Sequence, residues 1–294
     1  MPDKIPDYSG DTVSVAGQFN LLIAGKHDGL VDVMIFANIN PTTRKIKLIS
    51  IPRDLYYNNR KINSYYPLFG MDELKRVIGT ISGYQIDKFV LIDMYAFIDV
   101  IDLIGGVDVH LDQAVIDPSY KTFDDGKWST LYYRVGDYHL SGKQALRIAR
   151  TRHSSSDFAR ANRQQIILKA IQTKAKEFGF GDAGTLNSIA QSVLSRTETD
   201  ITLPEAIADY FRYQGFEIEG GNVLSTANVL ESKFSGDLAE QECKDKLPAI
   251  SSKESLEVMI EDKCTQEDKG QYLLVPKDDN WNILRWYFHQ LIEN

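Results

Sequence analysis

Short apolar stretches separated by turn residues open the regular part of the chain. They lie at 19–25, 32–39 and 44–51, and each is rich in β-branched and aliphatic residues. This composition and length predict β-strands. Asn-Pro-Thr-Thr at 40–43 predicts a hairpin turn between the second and third stretches. Because the stretches are apolar on both sides, we expect strands that are buried between layers of helices.

After residue 70, apolar residues at helical spacing alternate with further short strand patterns. Helices are predicted at 71–81, 95–106, 141–150, 157–178, 184–195, 204–213 and 281–292. Strands are predicted at 88–94, 107–111, 222–226 and 271–276. Residues 117–139 are expected to form a surface excursion or hairpin. This alternation predicts an α/β fold in which a central mixed β-sheet is layered between α-helices.

Two polar segments are expected to lie outside this layered core. Residues 1–18 are polar and contain Gly and Pro, which is typical of a linker or tail. Residues 231–270 are also polar and are expected to form an accessory insertion within a single domain over 19–294. This insertion holds both cysteines, Cys243 and Cys264. The residues alone are compatible with a disulfide or with two free thiols.

Composition and charge exclude several classes of protein. The 294 residues are 43% hydrophobic, which is enough to build a large core. A net charge of -8 disfavours bulk binding to nucleic acid. No apolar stretch reaches the roughly 18–20 residues of a membrane span, and no signal peptide is visible. Phosphate-loop, zinc-finger, serine-hydrolase and dinucleotide-binding motifs are also missing from the sequence.

Arginines are concentrated between residues 147 and 165 of this acidic chain. They are Arg147, Arg150, Arg152, Arg160 and Arg163. Crowded guanidinium groups repel one another unless an anion lies among them. Arg150 and Arg152 would point the same way in an extended segment, and paired arginines suit phosphate oxygens. The alternative is a solvated helix surface, in which Asp157 caps the helix and pairs with Arg160.

One face of the helix predicted over 157–178 changes character along its length. Asp157, Arg160 and Gln164 share this face, and Leu168, Ile171 and Ala175 continue it. The face is therefore polar for two turns and apolar afterwards. This pattern predicts a wet pocket that leads into the core of the domain.

A second charged cluster follows the strand at 44–51. Pro52 ends the strand, Arg53 and Asp54 come next, and Lys61 follows after a short loop. Ligands of α/β proteins gather at the ends of strands, so this cluster is a candidate binding site. A charged loop with no ligand is the alternative interpretation.

A third cluster surrounds a glycine loop between the first two predicted strands. Asp28 and Asp32 flank the loop, and His27 is adjacent. Two carboxylates near a phosphate pocket suit Mg²⁺, which binds a few protein carboxylates together with water and substrate oxygens. An Asp-Gly sequence is also typical of an ordinary turn.

Taken in order, these clusters resemble the LytR–CpsA–Psr (LCP) family. The similarity is strongest over about 19–175 and is carried by SIPRD, by R-x-R-H and by D-x-x-R-x-x-R-Q-Q. The resemblance implies an extracytoplasmic bacterial envelope enzyme, anchored by one membrane helix upstream of residue 1. It implies transfer of a glycopolymer from a polyprenyl-pyrophosphate carrier to peptidoglycan or another envelope acceptor. An extracytoplasmic location also favours a disulfide between Cys243 and Cys264.

The resemblance also implies roles for individual residues. Those expected to bind the substrate are Arg53, Lys61, Arg150, Arg152, Arg160, Arg163 and Gln164. Asp32 matches the family's metal-associated acid, with Asp28 as its expected partner on Mg²⁺. The candidate catalytic residues are Asp157, Arg53 and Asp28, and Asp157 or Asp28 would accept a proton from a sugar hydroxyl. The loop that usually carries a first acid is short here, so either Asp28 or His27 replaces that acid.

These residues predict Mg²⁺-assisted phosphoryl transfer, because guanidinium groups and a metal ion would offset charge on the transferring phosphate. Two alternatives use the same cradle of arginines. One is a polyprenyl-pyrophosphate hydrolase, in which water replaces the sugar acceptor. The other is a non-catalytic module that binds or senses the carrier lipid. No nucleic-acid partner is expected.

Overall fold

The computed structural model describes residues 7, 10–124, 127–151, 157–178, 183–236 and 270–293. The strands are β1 Phe19–His27, β2 Leu30–Asn40, β3 Lys45–Ile51, β4 Tyr56–Tyr57, β5 Arg60–Lys61, β6 Lys88–Asp93, β7 Val107–Leu111, β8 Val115–Asp124, β9 Lys127–Tyr133, β10 Gly136–Leu140, β11 Thr197–Thr199, β12 Glu217–Val223, β13 Leu230–Phe234 and β14 Tyr272–Pro276. The helices are α1 Tyr65–Phe69, α2 Met71–Ser82, α3 Met94–Leu103, α4 Gly142–Arg150, α5 Asp157–Ala175, α6 Ala183–Arg196, α7 Leu203–Tyr213 and α8 Trp281–Glu293.

A six-stranded mixed sheet forms the centre of the molecule, in the order β11-β6-β1-β2-β3-β12. Strands β1, β2 and β3 are antiparallel neighbours, whereas β6 and β12 run parallel to β1 and β3. The predicted turn at 40–43 is confirmed, and the side chain of Asn40 accepts hydrogen bonds from the backbone N–H groups of Thr42 and Thr43. The predicted α/β class with a central mixed sheet is therefore confirmed.

One face of the sheet packs against α2 and α8. Alternate side chains of β2, including Met34 and Phe36, point to this face, as the two-residue period of a strand requires. They meet Leu74 of α2 and Phe288 of α8, all of which are buried. The rings of Phe36 and Phe288 lie edge to face with centroids 5.2 Å apart. Close packing of large side chains makes this face the main hydrophobic core.

The opposite face of the sheet packs against α5. Ile35 and Ala37 of β2 contact Leu168 of α5. Gln165, which is only 1% exposed, joins the helix to two strands. Its Nε2 donates to the hydroxyl oxygen of Ser50 at 2.8 Å and to the carbonyl oxygen of Asn222 at 3.1 Å. These bonds fix the rotation of α5, and so they decide which of its residues face the sheet.

A second hydrophobic core lies beside the sheet, between α3, α4, α5 and the antiparallel pair of β7 and β10. The segment predicted as a surface excursion at 117–139 forms the hairpin of β8 and β9. Its inner residue Leu131 is buried, whereas Trp128 and Tyr132 are exposed. The predicted excursion therefore has one face in this second core.

Several boundaries differ from the sequence-based expectation. Strand β12 begins at Glu217, five residues before the predicted strand at 222–226. The segment 231–270 begins inside β13, which pairs with β14. Residues 237–269, with Cys243 and Cys264, lie outside the described residues, so the disulfide stays a prediction. Part of the expected tail at 1–18 is bound to the domain, because Val13 pairs with Tyr84. Among the described residues, no helix is both long and apolar enough to cross a membrane.

Candidate functional site

A cavity of about 620 Å³ lies between the sheet and helices α3 to α6. Most of its lining is apolar and comes from the α5 face of the sheet and from the facing helices: Leu21, Ile23, Val33, Ile35, Val90, Ile92, Phe97, Val100, Leu146, Ile167, Leu168, Ile171 and Val193. Its polar lining residues among those described are Lys26, His27, Asp32, Asp93, Arg53, Arg150, Arg160, Gln164 and Thr197. The pairing of the strands explains where these polar groups gather: β1, β3 and β6 end at the same edge of the sheet at which β2 begins.

The β1–β2 turn places its two acids differently. Asp28 and Gly29 both have positive φ angles, 49° and 82°, which closes a tight turn. The carboxylate of Asp28 is 84% exposed and lies 3.2 Å from Nδ1 of His27. Asp28 does not line the cavity, whereas Asp32 does. The positions of the two side chains therefore do not favour the prediction that both acids bind one metal ion.

Four alternating charges run along the edge of the sheet beside the cavity. Nη1 of Arg53 donates to Oδ1 of Asp32 at 2.9 Å, and Nε of Arg53 lies 3.6 Å from Oδ2 of Asp54. Nζ of Lys61 donates to Oδ1 of Asp54 at 2.7 Å. Lys61 does not line the cavity, so it reaches the site through Asp54 and Arg53. This arrangement holds the guanidinium of Arg53 at the mouth of the cavity.

Arg150 lines the cavity from the end of α4. A capping box begins this helix, because Ser141 and Gln144 bond to each other's backbone N–H groups. Nη2 of Arg150 lies 3.2 Å from Nε2 of His27, so α4 meets the end of β1. Arg160, which is 8% exposed, lines the same cavity from the first turns of α5. The expected grouping of arginines from separate parts of the chain is present in the geometry.

Gln164 and Arg163 are neighbours on α5 but lie in different surroundings. Gln164 lines the cavity, and its Nε2 donates to the carbonyl oxygen of Ala149 at 3.3 Å. Arg163 does not line it: its Nε donates to the carbonyl oxygen of Ile148 at 2.9 Å and its Nη2 to that of Thr151 at 2.6 Å. Burial is the main cause that lowers the pKa of the Arg163 guanidinium, and the positive charge of Arg160 lowers it further. Arg163 therefore holds the end of α4, in contrast to the substrate contact predicted for it.

The side chains of two predicted site residues are not among those that the structure describes. Arg152 lies outside the described residues. Asp157 is the first residue of α5, and only its backbone is described. Their expected roles as ligand and proton acceptor stay predictions.

The carboxylates around the cavity determine whether a divalent cation fits there. Among the described residues, no group of three or more His, Cys, Asp or Glu side chains is arranged to hold a metal ion. The two acids of the cavity lining are Asp32 and Asp93. Oδ1 of Asp93 accepts the backbone N–H of Ala96 at 2.7 Å and caps α3. Mg²⁺ often uses only one or two carboxylates plus substrate phosphates, so Asp32 fits such an ion if a phosphate completes the site.

Asp93 and Lys26 were not among the predicted site residues, although both line the cavity. They lie at the ends of β6 and β1 and are paired in register. The signal for Asp93 was its position between a strand and a helix, which is typical both of an N-cap and of a ligand-binding strand end. Nothing local in the sequence marks Lys26.

A protein-family model that matches most of this chain identifies the family to which it belongs. The match, to the LytR_cpsA_psr family, spans residues 4–230. The chain belongs to this family. It is 30% identical to the polyisoprenyl-teichoic acid–peptidoglycan teichoic acid transferase TagV of Bacillus subtilis (strain 168) over 224 residues, 70% of this chain and 56% of TagV. It is 28% identical to TagU of Bacillus anthracis, named as the same kind of transferase, over 208 residues, 65% of this chain and 64% of TagU.

The chain thus spans somewhat less than two thirds of the length of these LCP relatives. Solved structures have the same fold. The crystal structure of B. subtilis TagV has a TM-score of 0.68 at 23% identity, covering 95% of this chain and 99% of TagV. That of B. subtilis TagT has a TM-score of 0.63 at 19% identity, covering 100% of this chain and 96% of TagT. The cavity therefore belongs to an LCP domain.

Proposed function

We propose that this LCP protein transfers a glycopolymer from a polyprenyl-pyrophosphate carrier to peptidoglycan or another envelope acceptor. The observation that carries the proposal is an apolar cavity of about 620 Å³ with guanidinium groups at its mouth. A polyprenyl pyrophosphate has the matching chemistry, with a long apolar tail and a dianionic or trianionic head. The names of the relatives, which are teichoic acid transferases, support the same reaction class.

Charge at the mouth favours the pyrophosphate head. Among the described residues, four basic side chains line the cavity, Lys26, Arg53, Arg150 and Arg160, together with two acidic ones. The first turns of α5 contribute Arg160 and Gln164 to the lining, and the N-terminal end of a helix carries positive partial charge. Each charge-assisted hydrogen bond to phosphate would contribute roughly 1.5–3 kcal/mol.

Burial of the tail would supply the rest of the affinity. Apolar side chains of the sheet and of α5, such as Ile23 and Ile171, line the cavity. Each methylene group removed from water contributes about 0.8 kcal/mol. A few buried isoprene units would therefore contribute more than any single polar contact. This is why a lipid-linked donor fits better than a soluble nucleotide sugar.

The proposed reaction is a displacement at the phosphorus attached to the glycan. A hydroxyl oxygen of the acceptor forms a new bond to this phosphorus, and the bond to the bridging oxygen of the pyrophosphate breaks. The products are the glycan joined to the acceptor through a phosphodiester and a polyprenyl phosphate. Arg53, Arg150, Arg160 and, by motif, Arg152 would bind the phosphate oxygens. Asp157 would accept the hydroxyl proton, since Asp28 lies outside the cavity.

Mg²⁺ is proposed to assist, with Asp32 as its protein carboxylate and phosphate oxygens as further ligands. When bound, the ion would offset negative charge on the phosphate that is transferred. Asp32, which would hold the ion, accepts a hydrogen bond from Arg53, so the same carboxylate would also orient a guanidinium that binds the substrate. Lys61 would act indirectly, by holding Asp54 behind Arg53.

The proposed substrates also imply a location. Peptidoglycan and lipid-linked glycopolymers meet at the outer face of the bacterial cytoplasmic membrane. We therefore propose that this domain is extracytoplasmic and is tethered by a membrane helix that precedes residue 1. The location is measured directly by adding a protease to intact protoplasts that hold the full-length protein. Digestion of the domain is expected if it is extracytoplasmic.

The reaction is tested by incubating the purified protein with Mg²⁺, a synthetic polyprenyl-pyrophosphate-linked oligosaccharide and soluble peptidoglycan strands. Phosphodiester-linked glycan on the strands and free polyprenyl phosphate are expected, and Asp32→Asn should abolish both with the fold intact. Glycan phosphate released without attachment would indicate the hydrolase, and binding without turnover the carrier-lipid binder. Full activity of Asp32→Asn, or of wild type in a chelator, would contradict metal assistance.

A further inference from the structure

The last turn of α4 is fixed to its surroundings at almost every backbone carbonyl. Arg163 of α5 donates to the carbonyl oxygens of Ile148 and Thr151, at 2.9 Å and 2.6 Å. Gln164 donates to that of Ala149 at 3.3 Å. Arg150 is the remaining residue of this turn, and its side chain lines the cavity. With its neighbours held, the backbone of Arg150 has little freedom to move.

Thr151 completes this attachment through its side chain. It is 2% exposed, and its hydroxyl donates to Oδ2 of Asp117 on β8 at 2.5 Å. The other carboxylate oxygen of Asp117 accepts the backbone N–H and the hydroxyl of Ser119 and the backbone N–H of Tyr120, at 3.0, 2.6 and 3.0 Å. Asp117 is only 4% exposed, and both oxygens of its carboxylate thus accept hydrogen bonds from these groups. The hairpin of β8 and β9 is thereby joined to the end of α4.

The ionised form of Asp117 is the one that fits this arrangement. Burial raises the pKa of its carboxyl, but the hydrogen bonds from Ser119, Thr151 and Tyr120 outweigh burial and leave the pKa below its usual value. Asp117 therefore stays a charged acceptor at neutral pH. A buried charged acceptor specifies the rotamer of the hydroxyl that donates to it more sharply than a neutral acceptor would.

We infer that Asp117, acting through Thr151, is a positioning residue that aims Arg150 at the anionic head of the ligand. Asp117 is not among the residues that line the cavity, so its effect must pass through Thr151. This inference rests on the proposed function only in assuming that the ligand head is a phosphate or pyrophosphate. It assigns to the β8–β9 hairpin, outside the arginine motifs, a part in binding.

A double-mutant cycle tests the inference with geranylgeranyl pyrophosphate as the probe, measured by calorimetry. Arg150→Ala should weaken binding roughly tenfold or more, the factor for one charge-assisted hydrogen bond. Thr151→Val, which keeps the shape and removes the hydroxyl, should weaken it about tenfold in wild type and less than about twofold in Arg150→Ala. Thr151→Ser, which restores the hydroxyl, should return affinity to within about twofold of wild type.

A merely structural role of Thr151 would lower affinity by the same factor whether or not Arg150 is present, and this result would overturn the inference. Circular dichroism melts identify any loss of fold. If Thr151→Val does not fold, Thr151→Ala replaces it in the same cycle, because it also removes the hydroxyl that donates to Asp117. Wild-type binding without glycan transfer would contradict the proposed function and leave the inference standing. No wild-type binding of the probe would overturn both.

Discussion

At the scale of single residues, Arg53 has the most constrained position in the site. One nitrogen of its guanidinium bonds to Asp32 and another approaches Asp54, so the group spans two carboxylates at once. A planar fork with five donors can do this and still present donors to a ligand. The ammonium group of a lysine has three donors on a single atom and cannot spread them over the same plane. Charge alone is therefore not the property that this position requires.

Arg53→Lys is expected to lower the affinity for geranylgeranyl pyrophosphate by roughly tenfold, although the charge is kept, because one charge-assisted hydrogen bond is worth about this factor. The free energy of unfolding should change by less than about 1 kcal/mol, since the ion pairs are partly exposed. Calorimetric titration and chemical denaturation measure the two effects. The exposed Arg196→Lys serves as the matched control. Unchanged affinity of Arg53→Lys would show that Arg53 acts only through its charge.

The limits of sequence reasoning are clearest at Arg160 and Arg163. Both belong to one motif, and helical spacing places them about 60° apart around α5. Arg160 faces the cavity, whereas Arg163 faces the end of α4. Which of two adjacent directions meets the ligand depends on the rotation of α5 on the sheet. Gln165 sets that rotation through its hydrogen bonds to Ser50 and Asn222, which lie 115 and 57 positions away from it in the sequence. No local pattern holds this information.

At the scale of elements, long periodic segments were predictable and short ones were not. Strands β1, β2 and β3 and helices α2, α5 and α8 lie close to their predicted bounds. The pairs β4–β5 and β11–β6 were missed, because two or three residues are too few to show a period. Strand β12 was predicted late because Gly220 and Gly221 interrupt its pattern, where β12 also departs from regular register with β3.

Gln165→Leu is expected to destabilise the protein by about 1–3 kcal/mol, because it leaves the buried hydroxyl of Ser50 without its donor. Chemical denaturation measures this change. Lys169→Leu, an exposed position one turn further along α5, is the control and should change stability by less than about 0.5 kcal/mol. Equal stability of the two variants would mean that the apolar contacts of α5 suffice to seat it.

The first turn of α7 carries a pH-dependent contribution to stability. Glu205 accepts hydrogen bonds from the backbone N–H and hydroxyl of Thr202 and from Lys88, and these bonds lower its pKa to about 2. Because the folded-state pKa is below the ordinary value, the contribution is present above about pH 4.5 and is lost as the pH falls toward 2.

Glu205→Gln should therefore be less stable than wild type at pH 6 and should show a shallower fall in melting temperature between pH 4.5 and 2. Thermal unfolding across this range measures the slope. The exposed Glu217→Gln provides a control with the same change of charge. Parallel curves for wild type and Glu205→Gln would contradict the assignment of this pH dependence to the cap of α7.

At the scale of the whole molecule, the two faces of the sheet are packed to different degrees. The face toward α2 and α8 is filled by interlocking side chains such as Phe36 and Phe288. The face toward α3 to α6 retains a cavity of about 620 Å³. Apolar side chains that line a cavity lack the contacts that they would make in a packed core. This face of the sheet therefore contributes less to the stability of the protein when no ligand is bound. Ligand binding would supply the missing contacts and raise the melting temperature.

Ile171→Trp is expected to separate binding of the tail from binding of the head. Ile171 lines the cavity about 16 Å along α5 from Arg160, so a larger side chain there fills the apolar part and leaves the mouth unchanged. Affinity for geranylgeranyl pyrophosphate should fall at least about tenfold, and affinity for inorganic pyrophosphate should not change. The exposed Lys169→Trp is the control. Equal losses for both probes would place the tail elsewhere.

Strands β13 and β14 bring two distant parts of the chain side by side. They pair from Leu230 to Phe234 against Tyr272 to Pro276, and the backbone N–H of Ser235 donates to the carbonyl oxygen of Gln271 at 2.9 Å. The described residues on the two sides of segment 237–269 therefore lie next to each other. The segment between the two strands should therefore be replaceable. A short Gly-Asn-Gly turn in place of residues 237–269 should leave the melting temperature within a few degrees of wild type and should leave probe binding unchanged. Another small domain with adjacent termini could be grafted there, giving an LCP domain that carries a chosen cargo.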